Sequence, residues 1–171
     1  KSAVASIRLL REQEAVFRNE DSDRNALSDY WTLDVSGLYR VLSTAGNEIG
    51  KIEFPIARAD YDPAPAIPSY IGTAVVSAPN PKAGYYFQSM TTDETGTSYR
   101  VNFLADGTTL GLHPSRFAFC AFPVTYEQTG KNIYVISQEG TIWKKDTGSA
   151  AAVTTWPAAN PASANWGTID Y

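Results

Sequence analysis

The amino-acid sequence predicts an α+β fold in which one N-terminal α-helix packs on an antiparallel β-sheet. Three observations lead there. The first 18 residues contain no Gly or Pro and are rich in Ala, Leu, Glu and Arg, all good helix formers. Beyond them, short apolar and alternating segments are separated by turns containing Gly and Pro. Ten tyrosines, four tryptophans, ten prolines and twelve glycines suit pleated surfaces and turns better than a helix bundle.

The helix is expected over 1–18. At about 100° per residue, Ala3, Ile7, Leu10 and Phe17 form one apolar stripe, interrupted by Glu14. Ala5, Leu9 and Val16 form a second stripe beside it, so the helix has either two contacts or one broad core face. Lys1 and Ser2 lead into the pattern without an N-cap, which reads as the continuation of a longer helix.

The polar run Asn19 to Asp34 ends the helix and opens a loop-rich region over 19–80. Within it Pro55, Pro63, Pro65 and Pro68 favour an ordered irregular excursion. An antiparallel meander is expected over 84–145, with strand candidates at Gly84 to Thr91, Tyr99 to Leu104 and Phe117 to Tyr126. Asn132 to Ser137 and Thr141 to Lys145 flank Gln138-Glu139-Gly140, where Gly can supply the positive φ of a tight hairpin. The tail 146–171 lacks periodicity and is expected as ordered coil pinned by Trp156, Trp166 and Ile169. No repeat, low-complexity tract or linker divides the 171 residues, so a single domain over 1–171 is expected.

A net charge of −4 without any Lys/Arg cluster argues against nucleic acid as a partner. No run of 18 apolar residues is present, so the sequence offers no membrane span. The single cysteine, Cys120, lies in the apolar run FAFCAF and reads as a small buried hydrophobe.

Several segments together resemble the globular part of type IV pilins and type II secretion pseudopilins of the planctomycete type. These are SAVASIRLLREQEAVFRN, DSDRNALSDYWTLDVSGLYR, GYYFQSM, FAFCAFPVTYEQTGKNIYVISQEGTIWKKDTG and the closing WPA and NWGTID. The resemblance implies a pilin-like domain and a non-enzymatic structural role in an extracellular filament or secretion pseudopilus. Its partners would be copies of itself or related pilin-like subunits. It also implies an extracellular, cell-surface or periplasmic location and a precursor with a membrane helix ahead of Lys1. Ile7, Leu9, Leu10, Val16 and Phe17 are then the candidates for helix-mediated packing.

The sharpest local motif is Asp21-Ser22-Asp23-Arg24-Asn25-Ala26-Leu27-Ser28-Asp29. Oxygen-bearing side chains at Asp21, Asp23, Asn25 and Asp29 match positions 1, 3, 5 and 9 of an EF-hand-type loop, making calcium the cation this donor set would take. Ala26 stands where that loop has Gly, and Thr32 where it has a bidentate Glu, so a solvated acidic turn competes with the calcium reading. No catalytic residue is assigned. The single histidine, His113, sits in GLHPSR without a nucleophile elbow, and no C-x-x-C or H-E-x-x-H spacing occurs. Asp60, Asp62, Asp93, Glu94, Glu127 and Glu139 are carboxylates that could meet in space, though nothing singles out a pair. The alternative function is a stand-alone extracellular module that binds calcium or glycan through the acidic loop or the aromatics Tyr61, Tyr70, Tyr85, Tyr86, Trp156 and Trp166.

Overall fold

A helix lying on an antiparallel sheet dominates the computed structural model, which describes residues 2–74 and 79–169. Helix α1 spans Ser2–Glu20, two residues past the expected end. The expected start at Lys1, the segment 75–78 and the last two tail residues lie outside the described residues. The helix stops because Asp21 adopts φ 50°, which lets Ser22 N–H donate to Phe17 O at 3.1 Å and Asp21 N–H donate to Arg18 O at 3.4 Å. Those two bonds are a Schellman closure with Asp where Gly is usual.

The main sheet is built from β2 (Tyr85–Ser89), β5 (Ala118–Pro123), β6 (Asn132–Ser137), β7 (Ile142–Asp146) and β8 (Gly167–Thr168), in spatial order β2-β5-β6-β7-β8. All pairs are antiparallel, and the β6–β7 hairpin pairs Ile136 with Ile142 across a turn in which Gly140 takes φ +89°. A smaller three-stranded sheet, order β1-β4-β3, joins β1 (Tyr30–Trp31), β3 (Asn102–Phe103) and β4 (Leu110–His113). The meander expected over 84–145 is thus interrupted. Tyr99–Leu104 gives only the two residues of β3, because a register irregularity falls between Asn102 and Phe103 and the pair serves the smaller sheet. The expected loop region holds β1 and two short helices, α2 (Gly37–Arg40) and α3 (Phe54–Arg58). The expected coil tail holds a 3₁₀ turn over Pro161–Ala164 and the edge strand β8.

Alternation along the strands of the main sheet separates two apolar layers. Phe87, Phe119, Ala121, Ile136 and Ile142 face the layer that contains Ile7, Leu10 and Phe17 of α1. Ala118, Cys120, Phe122, Ile133 and Val135 face the opposite layer, closed by Met90, Tyr99, Trp156 and Trp166. The strand β5 is buried on both faces for this reason. Both tail tryptophans pin the tail to the body as expected, and Ile169 packs on the helix-side layer.

Candidate functional site

The helix stripes resolve into one buried face and one flank. Ile7, Leu10 and Phe17 are fully buried in the domain's own core, where α1 lies against β1, β5 and β6. They are not free to pack on another subunit. Leu9 and Val16 are half-buried and keep some exposed surface, beside exposed Ala5 and Glu12. Glu14, which interrupts the stripe in sequence, is buried with it. Its Oε1 accepts Trp31 N–H at 3.0 Å, and its Oε2 has no partner. Burial pushes this carboxyl well above the ordinary glutamate range.

The acidic loop does not form an EF-hand-like ring. Asp21 turns its carboxylate onto its own loop, accepting from Asn25 N–H at 3.2 Å and Ala26 N–H at 2.9 Å. The Asn25 amide is also spent: Oδ1 accepts from Leu27 N–H and Nδ2 donates to Asp29 Oδ2 at 3.0 Å. Asp23 and Asp29 instead point inward and are 2% and 1% exposed. Both Asp23 carboxylate oxygens and Asp29 Oδ1 lack any hydrogen-bond partner. Burial and the neighbouring Asp29 charge push Asp23 up to about 7, and burial raises Asp29 as well. Tyr70 closes the same region: its buried hydroxyl lacks an ordinary hydrogen bond, and burial and then the Asp23 charge raise it. Among the described residues, no group of three or more His, Cys, Asp or Glu converges as a metal-ligand set.

Further in, buried carboxyls continue as Asp34 and Asp60. Asp34 Oδ1 accepts from Trp31 Nε1 at 2.9 Å and Gly37 N–H at 2.8 Å; Oδ2 accepts from Ser36 Oγ at 3.0 Å and Ala64 N–H at 2.8 Å. Arg40 Nη1 lies 3.5 Å from Asp34 Oδ2, with neither side chain exposed. Asp60 Oδ2 takes Val35 N–H at 2.9 Å and Ser36 N–H at 2.8 Å, and burial followed by the Asp34 charge raises its carboxyl. A Cβ on Gly37 would fall 2.1 Å from Trp31 Nε1, so only Gly lets the backbone meet the indole that Asp34 holds. Most partners of Asp34 are local, but the Ala64 N–H comes from 30 positions later, so the network ties two stretches of irregular chain together and is structural in character.

On the sheet face opposite α1 a cleft of about 550 Å³ opens between the β6–β7 turn and the tail. Its walls include Glu94, Tyr99, Arg116, Glu139, Trp143 and Trp156. Arg116 is held by Asp93 at 2.7 Å and Glu94 at 3.7 Å and lies over the Tyr99 ring. Asp93 in turn accepts three bonds from Thr95 and Thr97, which hold its carboxyl down at about 2. Of the scattered carboxylates, Glu94 and Glu139 are the two that share this cleft. Asp60 belongs to the buried network, while Asp62 and Glu127 are exposed. Trp143 was missed in the sequence because it sits in a strand, and only the period-2 alternation of β7 places it beside the tail aromatics.

His113 closes a turn, its Nδ1 accepting from Ser115 and Arg116 N–H, and Cys120 is buried with its thiol pushed up to about 12 by desolvation. Of the suggested aromatic platform, Tyr70, Tyr85, Trp156 and Trp166 are buried, whereas exposed Tyr61 stacks edge-on against Tyr86 and Phe122. Among the described residues, no helix is long and apolar enough to cross a membrane.

No curated protein and no solved structure matches this chain. A family model matches residues 39–166, which take in Arg40, Asp60 and the whole cleft but leave out α1 and the acidic loop. The chain belongs to that family, DUF2950, described as a protein of unknown function.

Proposed function

We propose that this chain is a non-enzymatic structural subunit of an extracellular filament or secretion pseudopilus, located outside the cytoplasm and assembling with copies of itself or related pilin-like subunits. The observation that carries the reading is the seating of α1 on β5 and β6 of an antiparallel sheet, with Ile7, Leu10 and Phe17 locked into the sheet layer. That is the arrangement the pilin resemblance implies. Burial of those three side chains shifts the assembly role to the flank of α1 formed by Ala5, Leu9, Glu12 and Val16. Electron microscopy of the native full-length protein recovered from its source tests this. Regular filaments containing the chain are expected, and Ala5→Arg should abolish them while leaving the melting temperature unchanged. Monodisperse particles alone would overturn the reading.

A second reading, a glycan-binding module, is favoured by the cleft. Trp143 and the largely buried Trp156 line it beside Glu94 and Glu139, and Arg116 is already engaged by acids, so a neutral sugar fits better than an anion. Titration of tryptophan fluorescence with cellobiose and N,N′-diacetylchitobiose should then saturate, and Trp143→Ala should remove the response.

A further inference from the structure

Buried polar atoms in folded proteins are nearly always hydrogen-bonded, and a buried carboxylate without partners costs several kcal/mol. Asp23 breaks this rule with both of its oxygens, at 2% exposure, and Asp29 breaks it with Oδ1. Tyr70, 6% exposed and brought in from 41 positions later than Asp29, sets its hydroxyl against Asp23 without a well-formed hydrogen bond. Arg18 offsets part of the Asp29 charge, whereas the charges that act on Asp23 are those of Asp29 and Asp21. Asn25 and Asp21 are committed within the loop, Arg24 reaches away to Leu42 O, and Arg18 donates to Pro114 O.

We infer that Asp23 and Asp29, with Tyr70 against them, hold a hard divalent cation of calcium's size. Asp23 Oδ1 and Oδ2 and Asp29 Oδ1 supply the charge, water completes the shell, and the Tyr70 phenol donates from behind the carboxylates. Three features fit that chemistry. The free atoms are all oxygens, which calcium prefers. Two carboxylates balance its charge, whereas a neutral water would leave both uncompensated. The set is also not the one that loop spacing alone would choose, since Asp21 and Asn25 drop out and Tyr70 enters. The cation would tie the end of α1 to the Tyr70 segment, a link independent of the filament proposal.

The test uses the full chain stripped with EDTA and then given calcium chloride or terbium chloride. Calcium at about 1 mM, suited to an extracellular site, should raise the melting temperature, and terbium should give saturable emission sensitised by Tyr70 and Trp31 that calcium displaces. Asp23→Asn keeps the shape and removes the charge. Without metal it should melt no lower than wild type, and with calcium it should gain nothing, its terbium affinity falling at least about tenfold. A wild-type protein indifferent to calcium up to about 10 mM, well above the range of extracellular calcium modules, would overturn the inference and leave a protonated Asp23 in its place. An undiminished calcium response in Asp23→Asn would overturn it too. Should that variant fail to fold, terbium bound to wild type at other than one site, or not displaced by calcium, has the same force. Filaments that form normally in EDTA would leave the filament reading standing whichever way the cation experiment falls.

Discussion

The segment from Tyr85 to Asp146 and the segment from Asp21 to Gly72 both contribute side chains to the buried interior, but they are held together by different physics. In the first, β2, β5, β6 and β7 satisfy their backbone groups through ladder pairs, and their side chains alternate between two apolar layers. In the second, regular structure is limited to β1, α2 and α3, so carboxylates take over the work of ladders. Asp34 and Asp60 accept the backbone N–H groups of Val35, Ser36, Gly37, Asp62 and Ala64, which no strand or long helix could satisfy. Irregular chain can be buried when a few acids replace secondary structure, and each such acid then becomes irreplaceable.

The sharpest way to break that comparison is Asp34→Ala. Removing this side chain leaves Trp31 Nε1, the Ser36 hydroxyl proton and the Gly37 and Ala64 N–H groups without acceptors, and it leaves buried Arg40 without a counter-charge although its bonds to Gly72 O and Ala64 O remain. Urea unfolding should show a loss of about 3–5 kcal/mol, the usual effect of removing one partner of a buried ion pair. A loss below about 1 kcal/mol would mean that water enters and replaces the carboxylate, and the two segments would then not differ as described.

A second test uses pH, because the two segments should respond differently. Folding raises the carboxyls of Glu14, Asp23, Asp29 and Asp60 above their unfolded values, chiefly by desolvation. A raised carboxyl stabilises the fold fully below its unfolded value of about 4, and that contribution is lost as pH rises through the folded value. For Asp23 that window runs from about 4 up to about 7. In EDTA, stability should therefore fall from pH 5 to pH 8, by about 2 kcal/mol or more. His113, held down by burial and Arg116, works weakly in the other direction below its ordinary value. Urea midpoints that stay level across this range would show that water solvates the acids in the fold.

The same division decides what the sequence could reveal. The helix, the β6–β7 hairpin and β2 were legible because each follows a local period, 3.6 or 2, that needs no knowledge of the rest. The smaller sheet was not, since β1 and β3 are two residues long: β1 finds its partner only in β4, where Leu112 lies 81 positions beyond Trp31, and β3 meets β4 across a register irregularity. The acids of the loop were legible as a cluster but not by role. Asp21 and Asp23 look alike in sequence, yet the Schellman closure at Asp21 turns one outward onto backbone donors and leaves the other buried and unpartnered. The pairing of Trp143 with Trp156 was illegible for the same reason as Tyr70 with Asp23: both unite residues through tertiary packing that no local spacing encodes.

The smallest expected effect is the most direct check on the sheet side of the comparison. Ile136 is fully buried in β6, paired with Phe119 on one side and Ile142 on the other, and it contributes no polar atom beyond its ladder bonds. Ile136→Val keeps β-branching and the strand's conformational preference and removes one methylene from the helix-side layer. The loss should be about 1 kcal/mol, with no change in its size between pH 5 and pH 8 because no titratable group is disturbed. Because its cost comes from packing alone, combining it with Asp34→Ala should give additive losses if the two segments are energetically separate. A coupling of more than about 0.5 kcal/mol would instead show that α1, which touches both Trp31 and Ile136 through Phe17 and the helix-side layer, transmits the polar network's state into the sheet.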